Sequence, residues 1–237
     1  MEKQDPKIYS TLRNGIGTLK EKSLHANLIE WYSKPGDKFE ERVNGYIIDI
    51  VRGDLLIEIQ TKNFNSINNK LSALCQEHQV HLLYPIAKEK WIVRKERNNE
   101  IVSRRKSPKE GKVEDVFSEL VKASVILTLP NLMLCVLLIQ AEEIWKNDGK
   151  GSWRRGKWSV EERHLIKVIA QIEFLQLRDL INLLPESLPG KFSNTDVSEA
   201  LEISKTLARK MSYCLRKMKM LEVVGNRGRE YLFSVLN

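Results

Sequence analysis

The stretch that decides the fold is GYIIDIVRGDLLIEIQTKNF, residues 45–64. Two β-rich runs, 46–51 and 55–60, flank a short turn that contains glycine, and this pattern predicts a β-hairpin. Each run carries one carboxylate among apolar residues, Asp49 in the first and Glu58 in the second. A buried acid is costly unless it is paired or binds a metal. The two acids on adjacent strands therefore suggest a site for a divalent cation.

A second interpretation treats the same acids as ordinary strand residues that face solvent, with the apolar residues on the opposite face. Side chains alternate between the two faces of a strand, so Glu58 and Gln60 share one face. By the same rule Ile47 and Val51 share the face of Asp49. These apolar neighbours favour a buried face for Asp49.

Length and composition allow either one large domain or two ordinary ones in 237 residues, with a hydrophobic content of 42% that suits a packed core. Lys and Arg number 39 against 31 Asp and Glu, which gives a net charge of +8. An excess of positive charge favours a polyanionic partner, and we expect that partner to be DNA.

The cysteines and the apolar segments indicate the compartment. Cys75, Cys135 and Cys214 are widely spaced, lie in apolar segments and include no closely spaced pair typical of a zinc motif. They predict free buried thiols in a reducing environment. The polar beginning of the chain does not resemble a secretory signal, and the apolar window 123–141 is interrupted by Thr128 and Pro130. We therefore expect a cytoplasmic protein that does not enter a membrane.

The order of elements predicts two domains. Residues 1–146 alternate predicted helices and strands in a pattern that favours an α/β mixed sheet with flanking helices. Residues 147–158, NDGKGSWRRGKW, form a basic Gly- and Trp-containing segment that we interpret as a linker. In residues 159–237, a helix predicted over 159–174 precedes further helices and a terminal β-hairpin, which is the layout of a winged helix-turn-helix domain.

The longest predicted helix of the C-terminal region, 204–220, has two opposite stripes. One is mostly apolar, and the other is polar and basic. Together with the predicted wing, the basic stripe supplies the candidate DNA-binding residues Lys205, Arg209, Ser212, Arg216, Lys219, Arg227 and Arg229. A basic surface helix that contacts another protein is the alternative.

The hairpin and its two acids resemble the PD-(D/E)xK nuclease superfamily, which has the restriction-endonuclease-like fold. In that family one acid ends a strand, and a second acid and a lysine lie two residues apart on the next strand. The resemblance covers roughly residues 19–86. Two departures are visible: Gln60 stands where lysine is usual, and Ile48 rather than proline precedes Asp49.

The resemblance implies roles for individual residues. Asp49 and Glu58 would bind Mg²⁺ or Mn²⁺ together with the backbone carbonyl of Ile59, since these ions prefer oxygen ligands. Gln60 would orient the attacking water, and Lys62 would supply the positive charge that Gln60 lacks. The first helix would add an acid, for which we favour Glu21, with His25 beside it and Glu30 as the rival.

The resulting hypothesis is a metal-dependent DNA endonuclease or DNA-processing phosphodiesterase that a winged helix directs to its substrate. Two alternatives remain open: a non-enzymatic DNA-binding regulator with a degenerate nuclease fold, and an interaction component that cuts only with its partner. Cutting of both strands would need two active sites, so a homodimer is plausible. DNA contacts, or simply packing, would account for the linker residues Trp153, Arg154, Arg155, Lys157 and Trp158.

Overall fold

The computed structural model describes residues 22–153, 156 and 158–236, which form five α-helices and nine β-strands joined by turns and short 3-10 helices. The helices are α1 (Lys22–Tyr32), α2 (Asn68–Leu74), α3 (Phe117–Leu120), α4 (Asn194–Ala200) and α5 (Lys205–Lys217). The strands are β1 (Lys38–Val43), β2 (Tyr46–Arg52), β3 (Leu55–Ile59), β4 (Gln79–Lys95), β5 (Ile101–Lys106), β6 (Leu132–Lys146), β7 (Ser159–Phe174), β8 (Leu221–Arg227) and β9 (Glu230–Val235).

Seven strands form one mixed sheet in the order β1, β2, β3, β4, β6 and β7, with β5 paired to β4. The pairs β1 with β2 and β2 with β3 are antiparallel, whereas β4 is parallel to both β3 and β6. Helix α2 lies in the crossover from β3 to β4. The α/β fold with a mixed sheet and flanking helices is confirmed.

Strand β2 is irregular where Asp49 lies. Phe39 pairs with Ile50 and Glu41 pairs with Ile48, so Glu40 and Asp49 have no partner in the ladder, and Glu40 has a φ of 53°. Ile48 and Ile50, two residues apart, belong to different core clusters. Side chains two residues apart share a face in a regular strand, so the alternation of faces is interrupted at Asp49.

The core has two parts, one on each face of the sheet. The smaller part lies under α1 and is made of Leu24 and Leu28 packed against strand residues such as Ile57 and Leu83. The larger part lies on the α2 face and continues through α3 into α5, where Leu207 and Met211 are buried. Burial of apolar surface therefore attaches the C-terminal helices to the sheet.

The prediction of a helix over 159–174 was wrong, because this segment is strand β7. It pairs antiparallel with β6 over almost its whole length, from Lys146 opposite Ser159 to Leu134 opposite Phe174. The capping pattern at Ser159 suggested a helix, but β-branched residues recur through the segment and β6 needs a partner on that edge. Residues 147–158 thus connect two paired strands of one sheet.

Strands β4 and β5 form the central part of the sheet. Strand β4 is continuous across residues 87–90, and only its register with β6 shifts between Ala87 and Glu89. The polar segment 98–112 contains strand β5. In β5, Arg104 lies over the ring of Trp91 and pairs with Glu142 at 2.9 Å.

The C-terminal region consists of α4, α5 and the antiparallel hairpin of β8 and β9. Ser193 caps α4 by accepting hydrogen bonds from the backbone N–H groups of Thr195 and Asp196, and Ser204 caps α5. Lys210 of α5 donates a hydrogen bond to Ser118 at 3.0 Å, which ties α5 to α3. Within the described residues, no helix is long and apolar enough to cross a membrane.

The importance of α3 leads to a prediction about stability. Phe117 is fully buried in the core that joins the sheet to α5. Replacing Phe117 with Ala should lower the free energy of unfolding by about 3–5 kcal/mol, because the cavity cannot collapse completely. Chemical denaturation measures this change. Val125→Ala, at a position that is 50% exposed, serves as the control and should change stability by less than about 1 kcal/mol.

Candidate functional site

Asp49 and Glu58 are brought together at the end of the β2–β3 hairpin. Ile50 pairs with Ile57, so the next residues outward on the two strands, Asp49 and Glu58, lie beside each other. The backbone N–H of Ile59 donates a hydrogen bond to Asp49 Oδ2 at 2.8 Å. This hydrogen bond fixes the carboxylate of Asp49 beside Glu58.

Glu58 is the more deeply buried of the two acids, with 4% of the residue exposed. The ammonium group of Lys70, from α2, forms an ion pair with Glu58 Oε1 and donates to the backbone carbonyl of Ile47 at 2.5 Å. Burial and the nearby negative charge of Asp49 raise the pKa of Glu58 to about 7, although Lys70 acts in the opposite direction. Glu58 therefore titrates near neutral pH.

His25 of α1 completes the surroundings of Asp49. Its Nε2 lies 3.2 Å from Asp49 Oδ2, and the two side chains are 35% and 20% exposed. Burial lowers the pKa of His25, but the hydrogen bond to Asp49 and the charges of Asp49 and Glu58 outweigh it and raise the pKa above its ordinary value. The negative charge of the two acids therefore favours the protonated, cationic form of His25.

Gln60 points away from the carboxylates. Its amide nitrogen donates to the backbone carbonyls of Lys62 and Asn63 at 2.5 and 3.3 Å and to Ser66 Oγ at 3.2 Å. This side chain fastens the loop that follows β3. Strand β3 ends at Ile59, so Gln60 and Lys62 both lie after the strand, and Lys62 is in the bend that follows.

Of the two acids proposed to join the site from the first helix, the structure describes one. Glu21 lies outside the described residues, and Glu30 is exposed on α1. His25, expected beside Glu21, instead contacts Asp49 directly. Lys70 was missed because the sequence of α2 shows only a lysine next to the buried Leu71, a position typical of a solvated residue. Only the packing of α2 on β3 reveals its contact with Glu58.

Comparison with known proteins places this site in a family. A family model described as Domain of unknown function (DUF8091) matches residues 22–175, which is more than half of the chain. The chain belongs to the DUF8091 family. The DUF8091 match begins at α1 and ends just after β7, so it contains Asp49, Glu58 and Lys70 and excludes α4 and α5.

One relative extends the comparison beyond the DUF8091 match. An uncharacterized protein of Treponema pallidum (strain Nichols) is 30% identical over 185 residues, which cover 78% of this chain and 74% of the relative. No solved structure matches the chain.

The titration of Glu58 leads to a prediction for the DUF8091 domain. Between the ordinary pKa of 4.5 and about 7, the folded protein holds a proton on Glu58 that the unfolded chain has lost. Raising the pH through this interval should therefore lower the free energy of unfolding, by roughly 2 kcal/mol relative to Glu58→Gln. Denaturation in chelator at several pH values measures the difference. Glu41→Gln, at an exposed strand position, should show no such dependence.

The predicted DNA-binding residues all lie outside the DUF8091 match. Several of them are buried or paired within the protein and are not free to contact DNA. Ser212 was expected on the basic face but is buried, and its hydroxyl donates to Asn194 at 2.7 Å. Packing of α5 against α4 brings Tyr213, 39% exposed, onto the outer face instead. Lys205 forms an ion pair with Glu230, at the start of β9.

Arg227 is also engaged within the C-terminal region. It pairs with Asp196 at 2.8 Å and so ties the β8–β9 hairpin to α4. Exposed basic residues remain on α5, on the turn after it and on the turn between β8 and β9: Arg209, Arg216, Lys217, Lys219 and Arg229. Within the described part of the chain, Arg209 and Arg216 form no ion pair.

The two tryptophans of the segment 147–158 have different surroundings. Arg94 lies over the ring of Trp158 at 5.3 Å and over that of Trp145 at 5.8 Å, so Trp158 packs against the sheet. Trp153 is 81% exposed. Arg154, Arg155 and Lys157 lie outside the described residues.

Proposed function

We propose that this protein is a metal-dependent DNA nuclease whose active site is built on Asp49 and Glu58. The observation that carries the proposal is the pairing of two acids on adjacent strands, where burial and mutual repulsion raise the pKa of Glu58. Two carboxylates held this closely are stabilised by a divalent cation. Strongly shifted pKa values of this kind are concentrated at functional sites.

The order of elements supports the resemblance to the PD-(D/E)xK superfamily. A helix precedes the hairpin, the two acids lie on its two strands, and a second helix follows before the next strand of the sheet. We infer that residues 22–175 have a restriction-endonuclease-like fold. The DUF8091 match covers the same residues.

The donor set fits Mg²⁺ or Mn²⁺, because carboxylate oxygens are the ligands that these hard cations prefer. Asp49 and Glu58 would hold the ion, with the carbonyl of Ile59 as the further candidate ligand. When bound, such an ion supplies Lewis-acid activation of a phosphate oxygen. His25 and the N–H of Ile59 orient Asp49 for this task.

Lys70 replaces the missing lysine of the motif in our proposal. It approaches Glu58 from α2 rather than from position 60 of the strand. Its ammonium group holds the Glu58 carboxylate in place and adds positive charge where a phosphate would lie. Gln60 then has a structural role, since its amide fastens the loop after β3.

We further propose that α4, α5 and the β8–β9 hairpin act as a winged helix on duplex DNA. The exposed face of α5 carries Arg209 and Arg216, and the hairpin turn carries Arg229. Helix α5 packs through α3 on the α2 face of the sheet, and the loop after β3 also contacts α3, where the N–H of Phe64 donates to Glu119. DNA bound to α5 would thus lie on the same side of the sheet as Glu58.

Cleavage assays on the full chain test this function. Supercoiled plasmid, a branched DNA junction, single-stranded DNA and a matched RNA would each be incubated with Mg²⁺, Mn²⁺ or chelator. We expect cleavage of DNA only with a divalent ion. Absence of cleavage of every substrate, by folded protein that also fails to bind Mn²⁺, would contradict the proposal.

A non-enzymatic DNA-binding regulator is the second candidate, and the orientation of Gln60 favours it. With no lysine at this position and the amide turned into the loop, the site lacks the usual group beside the attacking water. A regulator would bind DNA equally well with and without divalent ions and would cleave none of these substrates.

A further inference from the structure

A second group of potential metal ligands lies on the face of the sheet covered by α1. His81 of β4, Cys135 of β6 and Glu173 of β7 place one ligand atom each within 4.8 Å of one another. We propose that these three residues form a Zn²⁺ site that is separate from the pair Asp49 and Glu58.

Strand register explains why these residues meet. Cys135 pairs directly with Glu173 across β6 and β7, and it pairs with Leu83 across β6 and β4. His81 lies two residues before Leu83, so its side chain is on the same face as that of Cys135 and diagonal to it. Cys135 belongs to the core under α1, whereas Glu58 faces α2. Glu58 and Cys135 therefore lie on opposite faces of the sheet.

The donor set selects the ion. A thiolate, an imidazole and a carboxylate form a mixed soft and borderline set that suits Zn²⁺ better than Mg²⁺ or Ca²⁺. Three protein ligands leave a fourth position for water, as in open zinc sites. With a neutral imidazole, the charges of the thiolate and the carboxylate balance the two positive charges of the ion.

Partners for the ligands are already in place. Tyr32, the last residue of α1, has its hydroxyl 3.2 Å from His81 Nδ1, and Gln171 donates to Glu173 Oε1 at 2.6 Å. Metal-binding histidines and carboxylates typically form such outer hydrogen bonds, which fix their orientation. Arg52 donates to the backbone carbonyl of Tyr32 at 2.8 Å and so anchors the end of α1.

The site has a route for entry of the ion. His81 and Cys135 are buried, but Glu173 is exposed on β7, an edge strand of the sheet. Metal binds the neutral form of the His81 imidazole. On binding, the Cys135 thiol loses its proton to solvent as the bond from sulfur to zinc forms, so one proton is released for each ion bound by this thiol.

Titration of chelator-treated full-length protein with Co²⁺, a spectroscopic substitute for Zn²⁺, tests the proposal. We expect the charge-transfer absorption of a cobalt thiolate to saturate at about one equivalent and to disappear when Zn²⁺ is added. Asp49→Asn should leave this absorption unchanged, which separates the zinc site from the proposed nuclease site.

Variants identify the ligands. Cys135→Ala should abolish the absorption, whereas Cys75→Ala, at another buried free thiol, should retain it. Because Cys135→Ala also changes the core, the exposed Glu173→Gln provides an independent test and should weaken Co²⁺ binding at least about tenfold. Tyr32→Phe, which removes only a hydroxyl, should weaken it by about 10–100-fold. Absence of the band in folded wild type, or its survival in Cys135→Ala, would overturn the proposal.

Discussion

Replacing Asp49 with Asn is expected to lower the rate of DNA cleavage by about a thousandfold and to leave DNA affinity unchanged. The variant keeps the size of the side chain but removes the charge that, in our proposal, binds the catalytic ion. Stabilisation of transition-state charge by a metal contributes several kcal/mol, and each 1.36 kcal/mol is a factor of ten in rate. Plasmid cleavage and a DNA-binding assay on the same preparation measure the two effects.

Asp54→Asn provides the matched control. Asp54 lies in the turn of the same hairpin and is exposed, so this variant makes the same chemical change outside the site. Its cleavage rate should equal that of the wild type. Equal rates for wild type and Asp49→Asn would show that any observed cleavage does not depend on the carboxylate pair.

Replacing both Arg209 and Arg216 with Ala should weaken DNA binding by at least about 100-fold, because each charge-assisted hydrogen bond to phosphate contributes about 1.5–3 kcal/mol. The dependence of log affinity on log salt should lose about one unit of slope for each phosphate contact removed. Fluorescence anisotropy with a labelled duplex at several salt concentrations measures both quantities. Mn²⁺ binding should not change, since neither arginine contacts the carboxylates.

Arg178→Ala separates this effect from the overall charge of the protein. Arg178 is exposed but lies before α4, in a 3-10 helix outside the proposed wing and recognition helix. We expect a small loss of affinity from the reduced net charge and little change in salt slope. Similar losses for Arg178→Ala and for the double variant would indicate nonspecific attraction rather than contact through α5.

The hairpin and α5 could be predicted because local patterns determine them. Runs 46–51 and 55–60 became β2 and β3 almost without change, since alternating β-branched residues around a turn with Gly53 have few other conformations. Helix α5 was predicted from its cap at Ser204 and its apolar stripe, and both are confirmed. Ser212 was assigned to the opposite, basic stripe and so to the outer face, because a helical wheel does not show that α4 covers that side.

Strand β7 could not be predicted from local pattern. Its first residues resemble a helix start, and its strand conformation follows from pairing with the preceding strand β6, which the local pattern of the segment does not show. Tertiary pairing overrides local propensity in such segments. The continuation of the sheet to Phe174 follows from this pairing.

The two candidate metal sites differ in how much of each can be predicted from the sequence. Asp49 and Glu58 are recognisable because their hairpin is local. Lys70 reaches Glu58 only through the packing of α2, and His81, Cys135 and Glu173 come from three strands with no common motif. Their proximity depends on the register of β4, β6 and β7.

Mn²⁺ binding followed by electron paramagnetic resonance tests the central claim most directly. Chelator-treated wild type should bind Mn²⁺ saturably, and Glu58→Gln should lose that binding while Glu41→Gln retains it. The folded state of each variant would be verified by circular dichroism in the same buffer. Equal Mn²⁺ binding by wild type and Glu58→Gln, or no binding by folded wild type, would contradict the assignment of Asp49 and Glu58 as a metal site.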